Sequence, residues 1–361
     1  MTTASDTSMA EVVRHYVLPK NVLSALISVV LAFAVGAVLI ALAGFNPLTA
    51  YGTLFQASLG SPNGLSETAI RTVPLALCGL GIALAFRSGV FNVGAEGQLF
   101  IGGIAAAATG TALGDLPQTF MLPAMAIAAA AAGAAWSAIA GWLKLKFRCD
   151  ELITTIMLNY VAIYFVSYLL HGPLQEPGSA LAQTARLGAN ARLPIALPTT
   201  RLHAGIIIVV ILAIAAQVFL WRTASGFRLR AVGHNARAAE NAGIGVGRVI
   251  MLGFLGCGAL SGLAGFMEVA GVQRRMIENL SPGYGYTAII VALLGQTNPA
   301  GVLLAAALFA ALQIGSTTME SAVGVPSSLT TIIQALVVLF LVAQNLVPML
   351  RDALRKRASE S

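Results

Sequence analysis

The chain has 361 residues, of which 57% are hydrophobic and only 10% charged, with a mean hydropathy of +0.83. Soluble domains carry roughly 25% charged residues, so the composition excludes a soluble globular protein and reads as a single membrane domain. The net charge of +7 is an orientation signal rather than a nucleic-acid footprint, because the Arg and Lys residues flank apolar runs.

Ten apolar runs read as candidate spans: 22–43, 69–86, 95–113, 120–142, 152–170, 202–221, 249–271, 284–296, 299–319 and 327–348. A spanning helix needs about 20 such residues. Arg14 and Lys20 precede the first run, as in a signal peptide. That run is longer than the roughly 7–15 residues of a cleaved apolar region, so a retained helix is expected. The eighth run is too short to span unless it starts earlier or is a broken helix inside the bundle. The expected organisation is a tail over 1–21, a transmembrane domain over 22–348 and a basic tail over 349–361.

With the N-terminus inside, the cytoplasmic segments hold 15 Arg and Lys residues and the opposite side 6. The positive-inside rule then places both termini in the cytoplasm. Gly258/Gly262 and Ser261/Gly265 are small-residue pairs that permit close helix approach in lipid. Residues 77–97 and 255–285 share a weak pattern of small-residue helix, polar break and second apolar run. Five spans separate them, which is the geometry of two related halves in inverted orientation. The expected fold is therefore all-α, with about ten transmembrane helices.

The sharpest polar interruption is RSGVFNVGAEGQ, residues 87–98, which brings Asn92, Glu96 and Gln98 near the membrane. Two readings stand. The stretch is a broken helix lining a cavity, or a cytoplasmic turn with Glu96 in the first turn of the next helix, where a carboxylate suits the dipole. Asn159 and Glu268 are lone polar groups in apolar spans, as are the weaker Gln313 and Gln334. Residues 223–248 form the longest polar, cationic internal stretch, with Arg228, Arg230, Arg237 and Arg248 against Glu240. Within it only 235–242 reads as a short helix, with Gly233 before it, Asn235 as its cap and Gly243 as its stop. No Gly precedes any of the four lysines, which excludes a P-loop. The dispersed His15, His171, His203 and His234 and the scattered Cys78, Cys149 and Cys257 form no metal pattern, and no catalytic constellation appears.

At these residues the chain resembles a known family. FRSGVFNVGAEGQLFIGG, residues 86–103, resembles the signature of ABC-importer permeases in the branched-chain amino acid, ribose and nucleoside group. Residues 226–269 are similar to that group's cytoplasmic coupling loop and following helix, and residues 281–315 to its C-terminal helices. The resemblance implies a ten-helix bundle of two related halves in a bacterial cytoplasmic membrane. It also implies partners: an ATPase that binds ATP-Mg, so that this chain holds no cofactor, and an extracytoplasmic binding protein. The form Gly89-Val90-Phe91-Asn92-Val93 departs from the sugar-permease pattern and looks like the larger permease subunit of nucleoside importers. Those pair with a second, smaller permease, a double-domain ATPase and a lipoprotein.

On that resemblance Gly233, His234, Asn235, Arg237, Glu240, Asn241 and Gly243 are the expected ATPase contact. Phe91, Asn92, Glu96, Gln98, Asn159 and Glu268 are the expected substrate path. Phe91 offers a face for a base, and Asn92 both donates and accepts. The rival is a single-chain secondary transporter driven by an ion gradient. It calls for coupled ionisable groups at mid-membrane, where only Glu96 and Glu268 are candidates and neither has an evident cationic partner in the sequence. A simple sugar is the alternative solute.

Overall fold

The computed structural model describes residues 22–114, 116–341 and 343; the two expected tails lie outside them. The helices are α1 (Val22–Leu42), α2 (Pro47–Leu59), α3 (Pro62–Arg87), α4 (Ala95–Ala112), α5 (Gln118–Phe147) and α6 (Glu151–Leu170). They continue as α7 (Gly205–Arg222), α8 (Ala224–His234), α9 (Ala236–Asn241), α10 (Val246–Met267), α11 (Tyr284–Leu294), α12 (Pro299–Val323) and α13 (Ser327–Leu341). A π-helical turn, Glu268–Gln273, extends α10. Among the described residues there is no strand, only the isolated bridges Gln183–Ile277 and Ile195–His203.

Seven of these helices are long and apolar enough to cross a membrane: α1, α3, α5, α6, α7, α10 with its π turn, and α12. The other three expected spans are also helical but fall short of that measure. α4 opens on Glu96, Gly97 and Gln98, and most of it is buried against protein. α11 has 11 residues and six of them are buried. α13 is described only to Leu341.

Two helices escaped the sequence reading. α2 begins at Asn46, whose side chain accepts from the Leu48 and Thr49 amides, with Pro47 at the first helical position. Its polar residues mask the pattern. α8 begins at Thr223, whose hydroxyl accepts from the Gly226 amide at 3.0 Å. Gly226, Leu229 and Val232 recur at helical spacing and are buried, so the stretch is amphipathic despite its arginines.

The chain forms two compact units. In the unit made from the described parts of 1–68 and 308–361, Tyr51 donates to the Phe33 carbonyl at 2.8 Å and ties α2 to α1. Phe33 also stacks on Phe55, with centroids 5.8 Å apart. The unit over residues 69–307 is centred on α10, which packs against α5 and α4. These helices meet backbone to backbone. A Cβ on Gly262 would lie 2.2 Å from the Ala129 carbonyl, and one on Gly102 would lie 2.3 Å from the Gly262 Cα. In lipid such contact replaces the hydrophobic drive between helices.

The segment between α6 and α7 is laced to the π turn and to residues 274–276 beyond it. Thr184 N donates to Met276 O, Leu187 N to Arg274 O, and Leu193 N to Ala270 O. His203 is buried there, its Nδ1 accepting from the Gly205 amide at 3.1 Å. Its ring fills the space beside Gly271, where a Cβ would come within 2.7 Å. Burial pushes the imidazole from 6.5 down to about 4.

This packing can be tested at two positions. Gly262→Ala forces backbone apart and should cost about 1–3 kcal/mol or more, read as a lower thermal midpoint in detergent. Gly52→Ala, with open space around its Cβ, should not lower the midpoint; equal midpoints for both variants would refute the close packing. His203 stays neutral in the fold until about pH 4, whereas the unfolded imidazole charges near 6.5. Its contribution is complete above pH 6.5 and is lost as pH falls from there towards 4. His203→Gln should flatten that part of the stability profile, and an unchanged profile would show that another group sets it.

Candidate functional site

Helix α3 ends at Arg87 and α4 starts at Ala95. The amides of Ser88, Gly89 and Val90 still donate back to carbonyls of the last turn of α3, so the freed amides begin at Phe91. Backbone groups freed inside a low-dielectric region must find partners. Here α6 supplies them from one face. Glu151, Thr155 and Asn159 recur every four residues and so lie one above another. The Phe91 amide donates to the Glu151 carboxylate. The Val93 amide donates to Thr155 Oγ1 at 3.2 Å, and the Gly97 amide to Asn159 Oδ1 at 2.8 Å. Asn159 Nδ2 returns a bond to the Val93 carbonyl at 3.0 Å and reaches the Tyr286 hydroxyl of α11 at 3.4 Å. Lys144 pairs with Glu151 at the head of this ladder.

Asn92 is fully buried and its amide is committed. Oδ1 accepts from the Gly94 amide at 2.7 Å and from Gln98 Nε2 at 3.4 Å, while Nδ2 donates to Ser137 Oγ at 3.4 Å. Gln98 Nε2 also donates to Ser137 Oγ at 3.1 Å, but Gln98 Oε1 is a buried acceptor with no hydrogen bond. Phe91 is 44% exposed and stacks on Phe86, with centroids 4.7 Å apart and planes 13° apart.

Glu96 is 3% exposed and lies in the first turn of α4. Its Oε2 accepts from the Gly285 amide at 2.6 Å, in the first turn of α11. The Ser281 hydroxyl and the Gly283 backbone also bond to this carboxyl group. Two helix N-termini thus converge on one acid, which suits their dipoles. The approach needs glycine, because a Cβ on Gly285 would lie 2.3 Å from the Glu96 nitrogen.

The structure therefore brings Phe91, Asn92, Glu96, Gln98 and Asn159 into one region. Among the described residues no hydrogen bond joins Glu268 to them: it is buried in the π turn, with Arg71 and Arg201 as the cations that bear on it. Sequence reasoning passed over Glu151, Thr155, Ser137 and Tyr286. The four-residue spacing back from Asn159 was the available signal for the first two.

The second candidate surface is the stretch 223–248. Asn235 caps α9 by accepting from the Ala238 amide at 3.0 Å, and Gly243 closes it with φ +79. Gly233, His234, Asn235, Arg237, Glu240, Asn241 and Gly243 are all exposed. Beneath them Leu229, Val232 and Ala239 bury against Leu220 and Val249. The result is a polar surface on an apolar footing. Gly233 also meets the break: a Cβ there would lie 2.2 Å from the Arg87 carbonyl. No group of three or more His, Cys, Asp or Glu residues that could hold a metal occurs among the described residues.

Known proteins share most of this chain. It is 40% identical over 329 residues to the glucose ABC transporter permease protein TsgB13 of Haloferax volcanii, covering 88% of this chain and 86% of the relative. It is 36% identical over 343 residues to the guanosine ABC transporter permease protein NupP of Bacillus subtilis, covering 94% and 98%. It is 32% identical over 352 residues to the nucleoside ABC transporter permease protein NupB of Lactococcus lactis, covering 95% and 96%. No solved structure matches it. Residues 64–342 match the family described as branched-chain amino acid transport system / permease component. A helical chain with seven helices fit to cross a membrane, relatives that are transport subunits and a family match over most of its length lead to one conclusion: the protein is a multi-pass ABC transporter permease subunit of that family.

Proposed function

We propose that this permease imports a nucleoside, or a related solute carrying a sugar, into the cytoplasm of a bacterial cell. The observation that carries the reading is the alignment with guanosine and nucleoside permeases over nearly the whole of each chain. Phe91 and Tyr286, both part-exposed beside the break, offer aromatic faces to a base. Asn92, Glu96 and Asn159 serve that path by holding the break in shape, because their polar atoms are bonded to backbone. Glu268, in the π turn, belongs to the path apart from the break. A free simple sugar is the second reading, favoured by the 40% identity to the glucose permease.

In the assembled importer both termini face the cytoplasm, and the membrane domain over 22–348 comprises about ten helices in two inverted halves. A separate, double-domain ATPase binds ATP-Mg and receives the exposed surface around α9. The second permease is a different chain, and a lipoprotein delivers solute from outside. Charge asymmetry supports this orientation.

Uptake of labelled nucleosides and free sugars, in cells with and without the gene, tests the solute. Gene-dependent nucleoside uptake is expected; robust sugar uptake without nucleoside uptake would select the second reading. Phe91→Ala should cut nucleoside uptake several-fold with normal membrane expression, each contact being worth about 1 kcal/mol. Asn92→Ala leaves the Gly94 amide without its acceptor, so it should lower both uptake and thermal stability. Unchanged uptake in both variants would remove the segment from the path.

Gly243→Pro tests coupling. Gly243 has φ +79, which Pro cannot adopt. Transport should fall while insertion persists; full transport with normal ATPase stimulation would reject this surface as the contact. Cys placed at Ala236 should be shielded from impermeant thiol reagents in intact cells, and Cys at Ala189 labelled. The reverse pattern would invert the topology.

A further inference from the structure

Helix α11 is only 11 residues long, roughly 16 Å at 1.5 Å per residue, and the signature stretch grips both its ends. At its N-terminus Glu96 accepts from the Gly285 amide at 2.6 Å. At its C-terminus the helix stops at Gly295, and the chain leaves through Gln296 and Thr297 at φ 52 and 53. The carbonyls of these two residues face the Arg87 guanidinium, Nη2 and Nε each lying 3.4 Å away. An acid at the positive end and a cation at the negative end both complement the helix dipole. The two charged residues that bound the break thus hold opposite ends of one short helix.

Arg87 also faces the 223–248 surface. Its guanidinium lies over the Trp221 ring at 5.4 Å, and that of Arg230, from α8, lies over the same ring at 4.2 Å. The Arg87 carbonyl abuts Gly233, where no Cβ fits. Arg87 therefore meets α8 through its backbone and through the shared indole, and α11 through its exit carbonyls. α11 in turn carries Tyr286, which meets Asn159 at the break.

We infer that α11 is the element displaced when the 223–248 surface is pushed, and that Arg87 is the positioning residue that transmits the displacement. This rests on the reading of that surface as the ATPase contact. Arg87 converts a shift of α8 into a shift of α11, because its planar fork spans two carbonyls while its face lies on the indole.

The test uses the complete transporter in liposomes, with Cys149→Ser as background, since Cys78 and Cys257 are buried. Thr287→Cys on α11 reports thiol labelling with and without ATP. The background protein should show nucleotide-dependent labelling. Arg87→Gln should abolish that dependence and lower ATP-driven uptake about tenfold, while ATP hydrolysis continues. Arg87→Lys keeps the charge but not the fork, so it should fall between; it also serves if Arg87→Gln fails to insert. Nucleotide-independent labelling of the background protein would overturn α11 as the moving element. Wild-type uptake and labelling in either Arg87 variant would overturn the relay. Glu240→Lys is run alongside. If it uncouples while the Arg87 variants do not, the relay alone fails; if it also transports normally, the ATPase contact fails with it.

Discussion

The structure depends on one constraint: a helix interrupted inside a membrane protein frees backbone groups that water cannot reach. Each such group left unpaired costs about 1–3 kcal/mol. The interruption at 88–94 is viable because α6 presents Glu151, Thr155 and Asn159 on one face, at the spacing the helix itself provides. The amides of Phe91, Val93 and Gly97 are satisfied by that face. An apolar α6 would leave these amides without partners.

The same economy explains the acid beside the break. A carboxyl group this deep is expensive unless bonded. Glu96 takes the Gly285 amide of α11, a backbone bond from Gly283 and a hydroxyl from Ser281, which itself accepts from the Gly283 and Tyr284 amides. Helix N-termini lack four intrahelical acceptors each, so the acid supplies α11 with one and is itself stabilised by the bond. The local geometry bears on one element common to both readings. The chain leaves the helix between Arg87 and Ala95, and Glu96 occupies the first turn of the next helix.

Packing sets how firmly this arrangement is held. α4, α5 and α10 touch through glycine backbones, as at Gly102, Gly133 and Gly262. Tight contact of this kind leaves α4, and with it Glu96 and Gln98, little room to shift. α11 differs. It is short, held at its ends, and followed by two non-glycine residues in left-handed conformation. A short helix gripped at both ends within this frame can shift only together with the residues that hold it, Glu96 and Arg87.

Much was legible in the residues alone. Long apolar runs announce helices in lipid because every backbone group there must bond within its own segment. The α9 cap at Asn235 and its stop at Gly243 are local backbone chemistry, so they too could be read directly. So could the break, where glycines and amides interrupt an apolar pattern. α2 and α8 were hidden because their polar residues disguise the helical period, although Asn46 and Thr223 mark their starts. Only tertiary structure decided what the break bonds to. Its partners lie 62 and 66 residues away at Asn159, 189 away at Gly285, and 209 and 210 away at Gln296 and Thr297. Pairing across such distances depends on which helix faces meet, and apolar patterning of the separate spans does not encode that.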